Sequence, residues 1–133
     1  YTSAEGWGLT TNGTELIMSD GTDKITFIDP ISFKKTKELN VKANGNPVYY
    51  LNELEYVNGY IFANIWMTTQ IAKINASTGN VVGVMDLAAL QNEARSQNPQ
   101  CAEMNGIAYH PESGQLWITG KLWPYIYQIQ CEI

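Results

Sequence analysis

A turn-and-strand pattern that returns three times constrains this chain more than any other feature, because fixed-period self-similarity dictates an architecture of like units. Gly13-Thr-Glu-Leu16, at a turn-to-strand junction, recurs as Gly59-Tyr-Ile61 and as Gly114-Gln-Leu116, at spacings of 46 and 55 residues. After each comes a second strand-like run ending in an aliphatic residue: Ile25-Thr-Phe-Ile28, Ile71-Ala-Lys-Ile74 and Ile126-Tyr-Gln-Ile129. Before each lies a lead-in segment: Gly6-Trp-Gly-Leu9, Asn52-Glu-Leu-Glu-Tyr56 and Asn105-Gly-Ile-Ala-Tyr109. The turns carry suitable chemistry, with Thr11-Asn12-Gly13, Val57-Asn58-Gly59 and Pro111-Glu-Ser-Gly114 placing Gly or Asn where the chain needs positive φ.

Each unit therefore reads strand, turn, strand, turn, strand. A fourth strand is expected around Thr36 to Val41 and Val81 to Met85, after Asp29-Pro30 and Ser77-Thr78-Gly79. Four strands in a period of about 45 residues marks the blade of a β-propeller, so the chain is expected to be all-β, with three four-stranded blades. The blade-like repeats cover 5–41, 51–85 and 104–133, and residues 1–133 make a single partial propeller domain. The longer second interval is explained by a short helix near 87–95, with Asp86 as its N-cap, Leu87-Ala-Ala-Leu90 through Ala94-Arg95 as its body and Ser96-Gln-Asn-Pro-Gln100 as its exit. Propellers close with roughly four to eight blades, and an open one leaves sheet edges and faces exposed. The remainder is thus expected from a further amino-terminal portion, from a second chain or from self-association, and the start at Tyr1 rather than Met fits the first of these.

Composition narrows the function. Eight Lys plus Arg against thirteen Asp plus Glu give a formal charge of -5, with Arg95 the single arginine. No phosphate-neutralising surface can be built from that set, so nucleic acid is not an expected partner. No apolar run reaches the roughly 18 residues of a membrane-spanning helix. Cys101, Cys131 and the single histidine, His110, cannot complete a four-ligand zinc site. Asn12-Gly13-Thr14 and Asn75-Ala76-Ser77 fit the N-glycosylation pattern, which points to a secreted protein. In that setting Cys101 and Cys131 are expected to be bridged; the alternative is two buried free thiols.

Six motifs taken in order carry a resemblance. Glu5-Gly-Trp-Gly-Leu-Thr10, Ser19-Asp-Gly-Thr22, Leu51-Asn-Glu-Leu-Glu-Tyr56, Ala63-Asn-Ile-Trp66, Asn105-Gly-Ile-Ala108 and Thr119-Gly-Lys-Leu-Trp-Pro124 resemble the plant and bacterial type of glutaminyl-peptide cyclotransferase, over essentially the whole chain. The resemblance implies the carboxy-terminal three fifths of a five-bladed propeller. It also implies an enzyme that converts the amino-terminal glutamine of a peptide or protein into pyroglutamate with release of ammonia, using no metal and no cofactor. One departure is plain: the glutamate that the family carries in a Phe-Gly-Glu-Gly-Leu type motif, its presumed proton-transfer group, has no match here, and Glu5 in Glu-Gly-Trp-Gly-Leu is not assigned that role. A propeller serving only as a binding platform is the competing reading, since fold alone does not set function. A lactonase-like propeller enzyme is disfavoured because the acidic residues are not clustered as a central metal site needs.

The site expectations follow. Cyclisation requires a held ring-forming conformation and proton transfer, so the pocket needs apolar walls, an amide-reading group and a charge or dipole for the oxyanion. Asn52 can both donate to and accept from a carboxamide, and Lys121 can stabilise developing negative charge; these two are the expected catalytic residues. Trp7 and Trp66, at comparable places in successive units, are the expected walls, with Asn105 and Trp123 as further substrate-binding candidates. His110 at His110-Pro111 reads as surface, and Glu53 and Glu55, alternating with Leu54, read as an outward solvated face.

Overall fold

The computed structural model describes residues 5–132, and its turns set the strand pattern. β1 (Gly8–Thr11), β2 (Leu16–Ser19), β3 (Lys24–Ile28) and β4 (Lys35–Asn40) form one antiparallel sheet in that order. A two-stranded hairpin of β5 (Lys42–Ala43) and β6 (Asn46–Pro47), not foreseen from the sequence, leads to the second sheet. That sheet is β7 (Leu51–Val57), β8 (Tyr60–Ile65), β9 (Gln70–Asn75) and β10 (Val81–Asp86). Helix α1 (Ala88–Gln97) then precedes the third sheet of β11 (Met104–His110), β12 (Gln115–Gly120) and β13 (Tyr127–Ile129). Asn58 and Gly59 join β7 to β8 with φ of 49° and 87°, the paired positive angles whose twist matches that of the flanking strands.

The second sheet lies between the other two, and its sequence shows it. In β8 the consecutive residues Ile61, Phe62, Ala63 and Asn64 are all buried, although neighbouring side chains of a strand point to opposite faces. Ile61 and Ala63 join a cluster with Ile17, Ile25 and Phe27 of the first sheet, while Phe62 joins one with Met104, Leu116 and Ile118 of the third. Two faces thus support two cores, and full burial of each such side chain contributes about 1.5–3 kcal/mol. β1, β7 and β11 pack side by side, so the first strands of successive sheets meet at a common hub, as in propeller blades.

Several expectations are corrected. The third sheet has three strands among the described residues rather than four, since β13 ends at Ile129 and only three described residues follow. The helix runs 88–97, and its N-cap position is Leu87, without a side-chain cap. Asp86 still serves the helix start from the end of β10, because its carboxylate accepts from the Ala88 N–H at 3.0 Å and from the Thr69 hydroxyl at 2.6 Å. The expected Cys101–Cys131 bridge is not made; both thiols are free. Cys101 is buried with its Sγ directed at the Ala94 and Leu122 carbonyls, 3.5 and 3.2 Å away, whereas Cys131 sits at the edge of the second core beside Phe62 and Lys73.

Glu53 and Glu55 do not form a fully solvated outward face either; both are half-buried. Glu53 Oε2 accepts from the Ile107 N–H and Glu55 Oε1 from the Tyr109 N–H, both at 2.9 Å. The reason lies at the hub. There the first strand of each sheet is an edge strand with unpaired N–H groups, and buried backbone donors must be satisfied. The neighbouring sheet supplies the acceptors: besides the two glutamates, Thr10 Oγ1 accepts from the Tyr56 N–H (3.2 Å) and Asn64 Oδ1, from β8, from the Gly106 N–H (3.0 Å).

Candidate active site at the hub

A cavity of about 310 Å³ opens at one end of the hub, lined by Glu5, Trp7, Asn52, Trp66, Asn105 and Lys121. These residues come from all three sheets. Trp7 precedes β1, Asn52 lies in β7, Trp66 follows β8, Asn105 lies in β11 and Lys121 follows β12, so each blade-like unit contributes at its inner edge or at the turn after its second strand.

Asn52 is buried, 7% exposed. Its backbone carbonyl accepts the Ser19 hydroxyl at 2.6 Å, tying the first sheet to the second. Its carboxamide has no side-chain or backbone partner among the described residues and lines the cavity, free to donate and accept. Gly8 is required opposite it, because a Cβ there would come within 2.1 Å of the Asn52 carbonyl oxygen. Asn105 is fixed across the same gap, its Oδ1 accepting from the Glu53 N–H at 3.3 Å.

The two indoles make one wall, edge to face, with centroids 5.5 Å apart and planes at 74°, a favoured arrangement for aromatic pairs. Trp7 also covers Gly21, where any Cβ would stand 2.7 Å from the ring. Lys121 brings the positive charge. Its Nζ lies 2.5 Å from Glu103 Oε1, the same oxygen that accepts from Trp66 Nε1 at 3.4 Å. The Lys121 ammonium holds the Glu103 carboxyl below the usual carboxylate range. Glu103 is thus a site residue that sequence reasoning missed. It lies 18 residues from its partner, and only the pairing of the two backbones, with the Lys121 N–H donating to the Glu103 carbonyl at 3.1 Å, brings the side chains together.

Trp123 is not brought to the cavity. Its Nε1 donates to the Ala102 carbonyl at 3.0 Å, its ring stands edge-on to Tyr127 at 5.9 Å, and it packs against the second core. His110 is exposed, as expected, and holds a local turn through Ser113. Glu53, one residue from Asn52, lines a separate cavity with Gly106, Ile107 and Trp117. Burial pushes its carboxyl up to about 7; the Ile107 N–H opposes this, and the neighbouring Glu55, itself raised by burial, adds to it. No group of three His, Cys, Asp or Glu among the described residues is placed to hold a metal ion.

Two carboxamides, an ammonium and two indoles around one cavity can grip an amide, orient it against an apolar wall and stabilise an oxygen that gains negative charge. The sequence profile of the glutamine cyclotransferase family matches residues 1–131. The chain belongs to that family. It is 41% identical over 127 residues to a glutaminyl-peptide cyclotransferase of Arabidopsis thaliana, an alignment that takes in 95% of this chain and 40% of that protein. The crystal structure of Myxococcus xanthus glutaminyl cyclase superposes with a TM-score of 0.90 at 43% identity, over 97% of this chain and 56% of that one. The WD40 β-propeller domain of Doa1 matches with a TM-score of 0.52 at 9% identity, over 85% of this chain and 32% of that one, a likeness of fold alone. The chain therefore has the β-propeller fold and spans about half, or less, of the two relatives that share its sequence.

Proposed function

We propose that the protein containing this chain is a glutaminyl-peptide cyclotransferase, converting amino-terminal glutamine to pyroglutamate. The observation that carries the reading is the convergence of Trp7, Asn52, Trp66, Asn105 and Lys121 on one cavity, in a chain whose family is defined by this reaction. The free α-amine of the substrate attacks its own side-chain amide carbon, a C–N bond forms, a proton leaves the amine, and protonated amide nitrogen departs as ammonia. Asn52 reads the side-chain carboxamide and holds the tetrahedral oxygen. Lys121 opposes the charge that develops there, and the indoles press the side chain into its ring-forming shape. The α-amine has a pKa near 8, so modest help generates the nucleophile at neutral pH. The proton-transfer group is expected from the part of the propeller outside this chain, supplied by the same polypeptide or a second one. The test is incubation of the full-length protein with a glutaminyl peptide while ammonia release and the loss of ammonia from the peptide mass are followed. Absence of turnover removes the enzyme reading and leaves a propeller that only binds.

Secretion is proposed as well, supported by the two sequons at turns whose Thr14 and Ser77 are exposed. Asn75 is the more available acceptor, because Asn12 Nδ2 is engaged by Glu15 Oε2 at 3.1 Å. A glycosidase-sensitive mass increment confined to Asn75 is the expected outcome.

A further inference from the structure

The turn after the second strand is built alike in all three sheets. Asp20-Gly21, Trp66-Met67 and Lys121-Leu122 immediately follow β2, β8 and β12, and the second residue of each pair has positive φ: 81°, 63° and 60°. Glycine suits that conformation, whereas a bulky L-residue there is strained. In the first sheet the residue is Gly21, and the Trp7 ring fills the space a side chain would take. In the other two the same strained position carries a large apolar side chain left in water, Met67 being 67% and Leu122 68% exposed. Neither joins a buried cluster. Within this chain these side chains therefore contribute little to packing, and a glycine would hold both turns with less strain.

Each of the two directly follows a residue that lines the cavity, Trp66 or Lys121. A third residue repeats the combination. Tyr50 has φ of 65° and is 55% exposed. Its N–H donates to the Gly21 carbonyl and its own carbonyl accepts from the Trp66 N–H, both at 2.9 Å. Its ring lies 6.0 Å from that of Trp66. Tyr50 thus extends the aromatic wall beyond Trp66, and Met67 and Leu122 stand exposed next in sequence to two of the lining residues.

We propose that Tyr50, Met67 and Leu122 form a second subsite that receives the residue following the amino-terminal glutamine, and that it selects apolar and aromatic side chains. This inference rests on the cyclotransferase reading. A glutamine held in the cavity by its side chain and α-amine must send its carbonyl out through the mouth, and the next residue lies one extended residue, about 3.3 Å, further along. Tyr50, Met67 and Leu122 offer it aromatic face, thioether and aliphatic surface and carry no charge of their own.

The test compares kcat/KM of the full-length protein on peptides beginning Gln-Phe, Gln-Leu, Gln-Gly and Gln-Asp, with Met67→Gly and Tyr50→Gly variants alongside. Burial of an apolar side chain in a half-open site predicts a Gln-Phe over Gln-Gly preference of roughly tenfold in the parent. The expected ratio in Met67→Gly is below about threefold, with an unfolding midpoint equal to or above the parent's, since glycine relieves the turn. Equal kcat/KM on all four peptides in the parent, or variants in which every peptide slows by one common factor, overturns the subsite. If no peptide turns over, the enzyme reading falls by itself, and equilibrium binding of the Gln-Phe and Gln-Gly peptides still decides the subsite: a matching preference that Met67→Gly abolishes supports it, and equal affinity overturns it.

Discussion

Replacing Glu53 with Gln isolates the electrostatic penalty stored at the hub. The carboxyl is raised from 4.5 to about 7, with burial as the leading cause. The corresponding ceiling is about 3 kcal/mol of native-state destabilisation when the group ionises; partial solvent access lowers it to about 2 kcal/mol. The sign follows from the direction. A carboxyl whose folded value exceeds its unfolded one leaves stability intact below about pH 4.5, drains it between about pH 4.5 and about pH 7, and imposes a constant penalty above. Glutamine keeps an Oε1 to accept from the Ile107 N–H but cannot ionise. Glu53→Gln should therefore change stability little near pH 4 and raise it by about 2 kcal/mol near pH 8, measured by urea unfolding of the full-length protein at both. Equal effects at the two pH values, or destabilisation near pH 8, would refute a charge penalty and show that the carboxylate is a net-favourable cap of β11.

Asn52→Ala should lower kcat by about 10²-fold or more with modest change in KM, as for the loss of an oxyanion donor; an unchanged kcat removes its role. Glu103→Gln should leave Lys121 without its counter-charge, shifting kcat/KM several-fold and altering the emission of Trp66, which it also orients; identical kinetics and emission would show that the ion pair is ornamental. Gly8→Ala places a Cβ against the Asn52 carbonyl and should cost about 3 kcal/mol or more, read as a drop in the urea midpoint. Thiol titration of the unfolded, unreduced protein should count both Cys101 and Cys131 as reactive; loss of the pair would mean that they are bridged after all.

Part of this was legible in the chain itself. The Asn-Gly and Gly turns, the strand runs between them and their recurrence specify antiparallel units of propeller type, because turn chemistry and side-chain alternation act over a few residues. Asn52, Asn105 and Lys121 could be picked out because they stand in motifs that resemble the family's, and Trp7 and Trp66 because they were read at comparable places of successive units, whereas Trp7 in fact precedes a first strand and Trp66 follows a second one. Trp123 could not be told from them: it shares the Lys121 motif, but two positions along the turn its indole enters the core instead of the cavity. The glutamates show the limit more sharply. Alternation with Leu54 gives Glu53 and Glu55 a face of their own, and nothing within β7 says that another strand's unsatisfied N–H groups occupy that face.

By itself, then, the sequence determined the local grammar, the blade-like repeat and the residue types of the site, since each of these depends on neighbours along the chain. Only the tertiary structure decided that Glu103 holds both Lys121 and Trp66, that the two cysteines stay unbridged, and that Asn52 and Asn105 line one cavity. Those facts depend on how sheets pack face against face, and that packing joins positions tens of residues distant through side-chain volumes and edge donors that no local pattern records.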